Sequence, residues 1–536
     1  MFGKILIANR GEIALRVVRT CVEMGVKTVV AHSSADADRI AAQYATETVC
    51  IGGPQPSQSY LNMDSLISAA LSTGCDAIHP GFGFLSENPT FAQKCEEFGL
   101  VFIGPAADVI SKLGDKATAR RMAQESNVPV VPGSKGVVAN AAEALKIANE
   151  IGYPVLLKAS MGGGGRGMRR VNAPEQLPAA YDSARAEALS AFGDGSLYVE
   201  KLILDPHHVE IQILADNHGN VIHLGERECS VQRNNQKLIE ESPSPALNPQ
   251  MRQAMGHAAV SLAKNCGYAG AGTVEFVVSG ENFYFIEMNA RIQVEHPVTE
   301  MRCGMDLVRE QLRIASGLSL GITQDKVQLN GHSIECRIVA EDPAAGFRPN
   351  PGTIDFLHFP GGNGVRVDSD LHVGATVSPY YDSMIAKIIV HAPNRQMAVR
   401  KMRRALEETI VEGVNTNLNL LLLICFNTAF IRGAYTTSFL THNLKELLSI
   451  DRVANMLEPE IDTLSALEAA EAADQMEETA EELTKAINQA NAAAAAKAMA
   501  EAKASTEAEG PSASFASQSF SISVENTAIT ASEEER

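Results

Sequence analysis

The sequence lacks the features of secreted, disulfide-linked and membrane-spanning proteins. Its nine cysteines stand singly and none forms a Cys-x-x-Cys pair, so we interpret them as reduced thiols that lie mostly in cores. The most apolar stretch, residues 418–430, is interrupted by Asn419 and Asn427 and is too short to cross a bilayer. Near the N-terminus, Arg10 and Glu12 end the first apolar run early, which does not fit a signal peptide or an anchor. These absences predict a cytoplasmic protein that does not bind a membrane.

Motifs of two other functional classes are also missing. Only single glycines follow the first predicted strand, so the glycine fingerprint of dinucleotide-binding enzymes is absent and hydride transfer is disfavoured. The net charge is −19, and residues 451–536 alone carry 18 acidic and 5 basic side chains. The acidity therefore belongs mostly to the C-terminal stretch, and neither part of the chain has the basic surface that nucleic acids require.

The composition is that of a large globular protein. Hydrophobic residues make up 45% and charged residues 20% of the 536 residues, a length that suggests about three or four domains. Strands predicted at residues 4–8, 26–32 and 77–79 alternate with helices predicted at 13–24 and 65–72. This alternation predicts an α/β fold that begins with a parallel sheet.

After a boundary at residues 129–133, which contains two prolines and a glycine, strands become more frequent. From residue 331 onwards, β-branched residues and turn signals indicate a mostly β domain. The elements expected after the boundary are a helix at 141–151, a strand at 155–159, strands within 197–224, two strands within 270–289 joined by a turn at 279–282, β structure from 331 to about 391, and helices to about 450.

The last part of the chain has a composition of its own. Residues 462–504 are rich in alanine and glutamate without glycine or proline, which favours a helix, and residues 510–536 are predicted to be disordered. A helix that docks a partner subunit through an apolar face is one interpretation, and a solvated, partly helical extension is the preferred one. The apolar face would comprise Leu464, Leu467, Leu483 and Ile487.

The first candidate site is the segment Lys158-Ala-Ser-Met-Gly-Gly-Gly-Gly-Arg-Gly-Met168, in which a predicted strand leads directly into a glycine run. Glycines let backbone N–H groups approach phosphate oxygens and let the loop close as a lid, and a lysine adds a compact positive charge. A surface linker is the alternative, but linkers seldom follow a buried strand that ends in lysine. The segment predicts a phosphate-binding loop without specifying the class of nucleotide enzyme.

The second candidate site consists of Glu275, Glu287 and Asn289. Residues two apart on a strand share a face, so Glu287 and Asn289 point in the same direction, and a turn at 279–282 brings Glu275 close to them. Carboxylates among apolar strands are costly unless they are compensated. Mg²⁺ prefers such oxygen ligands, so these residues predict a metal site, with a carboxylate pair bonded to nearby Arg or Lys as the alternative.

A dense group of charges follows at residues 291–300. Arg291 has the planar fork of donors that holds a small anion, and Glu295 is placed to accept a proton from it. Surface salt bridges are the alternative for both residues. A separate basic segment contains Arg227, Arg233 and Lys237 and, taken alone, is predicted to be a solvated face. The neighbouring Cys229 is interpreted as structural rather than reactive.

Four motifs stand in order along the chain. They are Ile7-Ala-Asn-Arg-Gly-Glu-Ile-Ala14, His79-Pro-Gly-Phe-Gly-Phe-Leu-Ser-Glu-Asn88, the glycine loop, and Glu287-Met-Asn-Ala-Arg-Ile-Gln-Val-Glu-His-Pro297. Together they resemble the biotin carboxylase family of ATP-grasp enzymes over residues 1–450, without large gaps. Other ATP-grasp ligases share the glycine loop and the metal carboxylates, but not the segment Arg-Ile-Gln-Val-Glu-His-Pro at 291–297.

The resemblance implies four regions. These are an N-terminal parallel α/β domain at 1–114, an ATP-grasp domain at 115–330 with a glycine-loop lid at about 131–203, a mostly β C-terminal domain at 331–450, and the acidic extension at 451–536, partly helical and then disordered.

The resemblance also implies a role for each candidate residue. ATP would be bound by Lys116, Lys158, Gly163, Gly164, Gly165, Glu200, Lys201, Leu202, His208, Glu275 and Glu287. Mg²⁺ or Mn²⁺ would be held by Glu275, Glu287 and Asn289. Bicarbonate would be positioned by Lys237, Arg291, Gln293 and Val294, with Glu295 as its base. Arg337 would stabilise the biotin enolate, and the catalytic set is therefore Glu295, Arg337, Lys237 and Arg291.

The implied substrate is biotin on a separate carrier protein, because the chain contains no Met-Lys-Met site for biotin attachment. The implied partners are a biotin carboxyl carrier protein, carboxyltransferase subunits and a second copy of the chain, and an acetyl-CoA carboxylase is the leading assignment. Two residues depart from the family pattern: Met161 replaces a usual glycine, and Asn235 stands where histidine is common.

Three other interpretations compete with this one. The same subunit type serves pyruvate and propionyl-CoA carboxylases, because the final acceptor never touches it. Another ATP-grasp ligase, such as a carbamoyl-phosphate-forming enzyme, would not need the 291–297 segment. A non-catalytic scaffold subunit is expected to have lost a catalytic residue, whereas all of them are present.

Overall fold

The first 452 residues form one compact unit. The computed structural model describes residues 1–160 and 167–462. The lid glycines Gly163, Gly164 and Gly165, the neighbouring Met161 and the features predicted beyond residue 462 lie outside the described residues.

The N-terminal part is a parallel α/β sheet, as predicted. Its five strands lie in the order β3-β2-β1-β4-β5, and each neighbouring pair is parallel. The sequence prediction missed β3, which is largely exposed at the sheet edge and lacks the apolar signal of a buried strand. The elements are β1 (Lys4–Ile7), α1 (Gly11–Glu23), β2 (Lys27–Ser33), α2 (Ile40–Tyr44), β3 (Glu47–Gly52), α3 (Met63–Ser72), β4 (Ala77–His79), α4 (Pro89–Glu97), β5 (Val101–Phe102) and α5 (Ala107–Gly114).

A small three-stranded sheet follows, with β6 between β7 and β8. Residues alternate along β6, so Val155 and Leu157 are buried against the helices while Lys158 lies on the other face. This alternation presents the lysine away from the small core. The elements are α6 (Lys116–Glu125), α7 (Ala141–Ile151), β6 (Val155–Ala159), β7 (Met168–Val171), α8 (Leu177–Phe192) and β8 (Leu197–Lys201).

An eight-stranded antiparallel sheet joins the middle and C-terminal parts. Its order is β13-β12-β9-β10-β11-β14-β21-β19, and the β11–β14 pairing carries the sheet across residue 330. Its strands are β9 (His207–Ala215), β10 (Val221–Arg233), β11 (Gln236–Ser242), β12 (Gly270–Ser279), β13 (Asn282–Asn289), β14 (His332–Val339), β19 (Val365–Asp368) and β21 (Met384–Ala392).

The remaining elements flank this sheet. The short ladders are β15 (Glu341–Asp342) with β16 (Arg348–Pro349), β17 (Gly352–Thr353) with β20 (Thr376–Val377), and β18 (Phe356–His358) with β22 (Ile410–Glu412). The helices are α9 (Pro249–Asn265), α10 (His296–Cys303), α11 (Leu307–Ala315), α12 (Arg395–Glu408), α13 (Leu418–Phe426), α14 (Thr428–Arg432) and α15 (Phe439–Asp462).

The two faces of the large sheet differ in chemistry. Val209 and Ile211 of β9 and Val274 of β12 belong to a hydrophobic core that includes residues of α9. The alternate residues of the same strands, including Glu210 and Glu275, point to the opposite face. A strand period of two therefore places the polar residues of several strands on one surface.

Two expectations about the chain class can be compared with the structure. All nine cysteines are unpaired and seven are buried, as predicted for reduced core thiols. Within the described ranges, no helix is both long enough and apolar enough to cross a membrane.

Glu241 gives the fold a measurable dependence on pH. Its buried carboxylate accepts hydrogen bonds from Arg395 Nε at 2.7 Å and His332 Nε2 at 2.6 Å, joining β11 to β14 and α12. Burial alone raises the pKa of Glu241, but the hydrogen bonds from His332 and Arg395 outweigh burial and hold the pKa at about 2. A depressed carboxyl pKa stabilises the folded state above the ordinary value of 4.5, and this stabilisation is lost as the pH falls towards 2.

We expect Glu241→Gln to lower the thermal midpoint, because removing one partner of a buried ion pair costs about 3–5 kcal/mol. The gap between the midpoints of wild type and variant should narrow between about pH 6 and about pH 4, because the unfolded wild-type chain takes up a proton at Glu241 below its ordinary pKa of 4.5 while the folded protein does not. Thermal unfolding at both pH values checks this, with the exposed Glu97→Gln as control. A gap that does not change with pH contradicts the assignment.

Candidate active site

A large cavity lies between the small sheet, the polar face of the large sheet and the C-terminal part. Its volume is about 1340 Å³. The structure brings every described candidate residue to its lining. These are Lys116, Lys158, Glu200, Lys201, Leu202, His208, Lys237, Glu275, Glu287, Asn289, Arg291, Gln293, Val294, Glu295 and Arg337.

Lys237 lies at the centre of the charged wall. Its Nζ is 2.6 Å from Glu295 Oε1, 2.7 Å from Glu210 Oε2 and 3.3 Å from Glu275 Oε1. Burial lowers the pKa of this lysine, but the three carboxylates outweigh burial and hold the pKa well above its ordinary value. Lys237 therefore stays charged and connects its own strand, β11, to β9, to β12 and to the segment before α10.

The basic segment at 227–237 is not a solvated face, so that prediction was wrong for two of its three residues. Arg227 is fully buried, and its Nε donates to Glu210 Oε1 at 2.6 Å while Nη1 donates to Gln212 Oε1 at 2.6 Å. Arg233 remains at the edge and donates to Gly346 O at 3.0 Å. The inward-facing residues of β10 and β11 are buried because β9 and β14 flank them, which the segment alone does not reveal.

Cys229 lies on the same strand as Arg227 and is completely buried. Burial, followed by the negative charge of Glu210, raises the pKa of this thiol well above its ordinary value. The thiolate is the reactive form of cysteine, so this environment fits a structural residue, as the sequence analysis preferred.

The two acidic strands meet as the sequence predicted. Glu275 of β12 lies directly opposite Glu287 of β13, and Asn289 Nδ2 donates to Glu275 Oε1 at 2.8 Å. Glu275 Oε2 is also 2.8 Å from His208 Nε2. Burial raises the pKa of Glu275, but Lys237 and His208 outweigh burial and hold the pKa well below 4.5.

The charge on these residues suits a divalent cation. The pKa of Glu287 is raised, first by burial and then by the charge of Glu275, so the pair repels without a cation between the two carboxylates. The ligand atoms of His208, Glu210 and Glu275 also lie within 4.8 Å of one another. The Asn289 amide oxygen accepts from Arg291 Nη2 at 3.0 Å, so the amide must turn over before this oxygen binds a metal.

Glu295 is held between two cations. Its Oε2 is 2.9 Å from Arg337 Nη2, and its other oxygen contacts Lys237. Burial raises the pKa of Glu295, but Lys237 and Arg337 outweigh burial and hold the pKa well below 4.5. Glu295 is therefore an ionised carboxylate whose basicity depends on where its two cations point.

The sequence analysis missed Glu240, a second partner of Arg337. Arg337 Nε donates to Glu240 Oε1 at 2.6 Å, and Glu240 is fully buried. Burial raises the pKa of Glu240 to about 7, although Arg337 opposes that shift. Arg337 thus lies between two carboxylates. Burial lowers the pKa of Arg337, but Glu240 and Glu295 outweigh burial and hold the pKa above the ordinary value for arginine. An acid in an apolar strand was the available signal for Glu240.

Arg291 is positioned by a loop from the N-terminal part. Its Nε donates to Glu87 Oε2 at 2.8 Å, while Glu87 Oε1 accepts from the Ala290 backbone N–H at 2.9 Å. Glu87 belongs to the motif at 79–88, which the sequence analysis recognised without assigning this residue a role. The two contacts fix both the backbone and the guanidinium of the segment that follows β13.

The opposite end of the cavity carries Lys158 and Glu200. Lys158 Nζ is 2.5 Å from Glu200 Oε2, and Arg120 Nη1 is 2.9 Å from Glu200 Oε1. Lys201 instead donates to the carbonyls of Gly152 at 3.1 Å and Tyr153 at 2.9 Å, so its ammonium supports the strand edge. These contacts place one cationic side chain near the start of the glycine loop.

Asn235, which stands where histidine is common in the family, occupies a turn whose backbone conformation favours asparagine. Asn234 and Asn235 form the turn between β10 and β11, with φ values of 49° and 66°. Asparagine tolerates this left-handed conformation better than most residues. Asn235 also lines the cavity, so it presents a neutral amide there.

Comparisons with known proteins identify the family of the chain. Three family models match: "Biotin carboxylase, N-terminal domain" at residues 1–110, "Carbamoyl-phosphate synthase L chain, ATP binding domain" at 115–323, and "Biotin carboxylase C-terminal domain" at 335–442. Biotin carboxylase 1 of Bacillus subtilis is 52% identical over 442 residues, which cover 82% of this chain and 98% of that protein. A pyruvate carboxylase subunit of Methanothermobacter thermautotrophicus is 52% identical over 439 residues, 82% of this chain and 89% of that protein.

Solved structures give the same result. The biotin carboxylase domain dimer of Hydrogenobacter thermophilus 2-oxoglutarate carboxylase, in complex with MgADP, ADP and bicarbonate, is 50% identical with a TM-score of 0.79. It covers 83% of this chain, and 98% of that chain is matched. A Campylobacter jejuni biotin carboxylase complex is 47% identical with a TM-score of 0.79, over 82% of this chain and 99% of the other. The chain therefore belongs to the biotin carboxylase family of ATP-dependent ligases.

Proposed function

We propose that this chain carries out the first half-reaction of an acetyl-CoA carboxylase, the step that precedes fatty acid synthesis. In this step ATP and bicarbonate carboxylate biotin on a separate carrier protein. The observation that carries the proposal is the meeting of Lys237, Glu295 and Arg337 in one cavity beside the acidic strands. Relatives from bacteria and from chloroplasts that are named biotin carboxylase support the carboxylation of biotin.

ATP is assigned to the end of the cavity formed by the small sheet. Lys158 and Lys116 would contact its phosphates, and residues 200–202 would lie against the adenine, with His208 nearby. Both lysines line the cavity, and Lys158 lies on the face of β6 that is opposite its core. Gly163, Gly164 and Gly165 complete the assignment through their backbone N–H groups.

Glu275 and Glu287, with Asn289 after its amide turns over, are assigned to Mg²⁺ or Mn²⁺. The support is their cross-strand pairing and the repulsion between the two carboxylates. When bound, the ion would neutralise phosphate charge that develops during transfer. His208 orients Glu275 through the 2.8 Å contact and fixes one of its oxygens.

Bicarbonate is assigned to Arg291, Gln293, Val294 and Lys237, beside Glu295. Glu295 takes the bicarbonate proton while a bicarbonate oxygen attacks the γ-phosphorus of ATP, giving ADP and carboxyphosphate. The free carboxylate is a weak base because Lys237 and Arg337 hold its pKa low. Turning these cations towards the substrates would raise the pKa of Glu295 and make it a stronger base.

Biotin is assigned to the region of Arg337. Carboxyphosphate breaks into CO₂ and phosphate, the phosphate takes the proton from the ureido nitrogen of biotin, and that nitrogen attacks CO₂. Arg337 would stabilise the negative charge on the ureido oxygen as the proton leaves. Its two carboxylate partners hold the guanidinium in place in the absence of biotin.

We expect purified protein to release ADP from Mg²⁺-ATP only when bicarbonate is present, and faster when free biotin is added. This dependence follows because biotin consumes the CO₂ and gives its ureido proton to the phosphate, so that carboxybiotin and phosphate can leave the site. ADP release measured with each component omitted in turn is the test. Folded, ATP-binding protein that releases ADP equally without bicarbonate would favour a different ATP-grasp ligase.

The proposal also covers the molecule that finally accepts the carboxyl group and the proteins that work with this chain. The pyruvate carboxylase subunit of Methanothermobacter is as similar as the stand-alone biotin carboxylases, so pyruvate is the second candidate acceptor. A carrier protein, carboxyltransferase subunits and a homodimer are proposed partners, and the Hydrogenobacter domain was solved as a dimer. Disrupting the gene and measuring which carboxylase activity disappears, with acetyl-CoA and with pyruvate, separates the two acceptors.

A further inference from the structure

We propose that Lys387, which does not line the cavity, is a positioning residue for the bicarbonate-binding segment at 293–295. The inference rests on the proposed role of that segment. Lys387 lies on β21, its side chain is fully buried, and Nζ donates to the Val294 carbonyl oxygen at 2.8 Å. It contacts the backbone of the segment without itself lining the cavity.

Lys387 joins three parts of the chain at one atom. Its Nζ is 2.9 Å from Glu12 Oε1, in the first turn of α1, and 3.8 Å from Asp368 Oδ2 on β19. On the sheet it lies directly opposite Arg337 of β14. The ammonium therefore connects the N-terminal part, the segment after β13 and the C-terminal strands.

The hydrogen bond from Lys387 to the Val294 carbonyl fixes the direction of the next backbone N–H, that of Glu295. In a planar trans peptide, the carbonyl and the following N–H point in opposite directions. Because Lys387 holds the Val294 carbonyl, the N–H of Glu295 must point away from Lys387. His296 acts similarly on the preceding peptide, since its Nδ1 is 2.8 Å from the Gln293 carbonyl oxygen and the Val294 N–H points the other way.

These two N–H groups are available as donors. Among residues 1–160 and 167–462, no protein acceptor is hydrogen-bonded to the N–H of Val294 or Glu295. Both groups are flanked by the side chains of Gln293 and Glu295, which line the cavity. Two adjacent backbone donors beside a proton acceptor suit an anion that must lose a proton. Their direction is set by the contacts of the buried ammonium and the buried imidazole with the two carbonyl oxygens.

The charge of Lys387 is maintained by its surroundings. Burial lowers the pKa of the ammonium, but Glu12, Glu335 and Asp368 outweigh burial and hold the pKa above its ordinary value. The pKa of Glu12 rises to about 7, because burial outweighs the attraction of Lys387. A charged donor makes a stronger hydrogen bond to the Val294 carbonyl than a neutral one, so the peptide plane is held firmly.

A purely structural role for Lys387 predicts a different result from a positioning role. If its task were only to neutralise Glu12, removing both charges together would restore a normal enzyme. If it orients the segment, the peptide at 294–295 stays unheld even when the charges balance. The variants Lys387→Met, Glu12→Gln and the double variant Glu12→Gln/Lys387→Met separate these cases. Lys401→Met is the matched control, because Lys401 Nζ also donates to carbonyls, those of Asn363 and His391, at 2.8 Å and 2.7 Å.

The measurement is the initial rate of ADP release as bicarbonate and ATP are varied separately. We expect the KM for bicarbonate to rise about tenfold or more in Lys387→Met and in the folded double variant, because a small displacement of a binding group has a large effect. The KM for ATP should change less than about twofold in both. Glu12→Gln and Lys401→Met should keep the wild-type KM for bicarbonate, because the contact with Val294 remains.

An unchanged KM for bicarbonate in the folded double variant would overturn the proposed role of Lys387. Equal increases in the KM for bicarbonate and for ATP would also overturn it, because that result indicates a general loss of structure. Failure of the wild-type enzyme to show bicarbonate-dependent ADP release overturns the proposed function instead. The two failures are therefore distinguishable in a single set of assays.

Discussion

Replacing Glu295 with glutamine should reduce bicarbonate-dependent ADP release by about 10²–10⁴-fold, the usual contribution of a general base. Glutamine keeps the size and the hydrogen-bonding oxygen of the side chain but cannot accept the bicarbonate proton. Steady-state ADP release at saturating bicarbonate measures the loss. ATP binding, followed by equilibrium titration, should change little, because Glu295 contacts Lys237 and Arg337 rather than the lysines assigned to the phosphates.

The pH dependence gives a second readout of Glu295. Its pKa lies well below 4.5 in the free enzyme, so the group stays ionised and kcat/KM for bicarbonate should not fall near neutral pH through its protonation. The matched control is Glu341→Gln, a carboxylate that lines the same cavity but accepts a hydrogen bond from Ser383 rather than from Lys237. If Glu295→Gln turned over at a rate near that of wild type, Glu295 would not be the base.

Replacing Arg337 with methionine should abolish most of the stimulation of ADP release by biotin, with a loss of about 10²–10³-fold in biotin carboxylation. The guanidinium supplies the positive charge that the ureido oxygen needs as the biotin enolate forms. Slow bicarbonate-dependent ADP release without biotin should remain, because Lys237 still contacts Glu295. Parallel assays of ADP and of carboxybiotin measure the two effects separately.

The same variant affects stability, which must be separated from catalysis. Without Arg337, the buried Glu240 loses its cation, and breaking such a pair costs about 3–5 kcal/mol. Arg337→Lys keeps a charge near Glu240 but not the two-pronged contact, so it should recover stability more than carboxylation. If the folded methionine variant were still stimulated fully by biotin, Arg337 would not act on biotin.

The sequence predicted local structure well where a periodic pattern met a clear boundary. The helix at 141–151, the strand at 155–159 and the two strands of 270–289 have the predicted positions. The pairing of Glu275 with Glu287 was also predictable, because a short turn fixes the register of a hairpin. The edge strand β3 was missed, because it buries too little apolar surface to show the pattern.

The burial of the basic segment at 227–237, in contrast, could not be predicted from its own residues. Nothing within residues 227–237 distinguishes a solvated stretch from a buried one, because the acceptors of Arg227 come from β9, β12 and α10. The wrong prediction for Arg227 and Lys237 has this cause. A polar period of two along β9, where His208, Glu210 and Gln212 alternate with valine and isoleucine, was the signal that could have indicated their acidic partners.

The sequence alone determined the family, the positions of the clearly periodic elements and the residue types that carry the chemistry, because these depend on local spacing and on motifs. Only the tertiary structure decided which charges meet. Glu87 reaches Arg291 across 204 residues, Glu240 reaches Arg337 across 97, and Lys387 reaches Val294 across 93. Burial strengthens the electrostatic contacts among these groups, and burial arises only when distant strands and loops pack together.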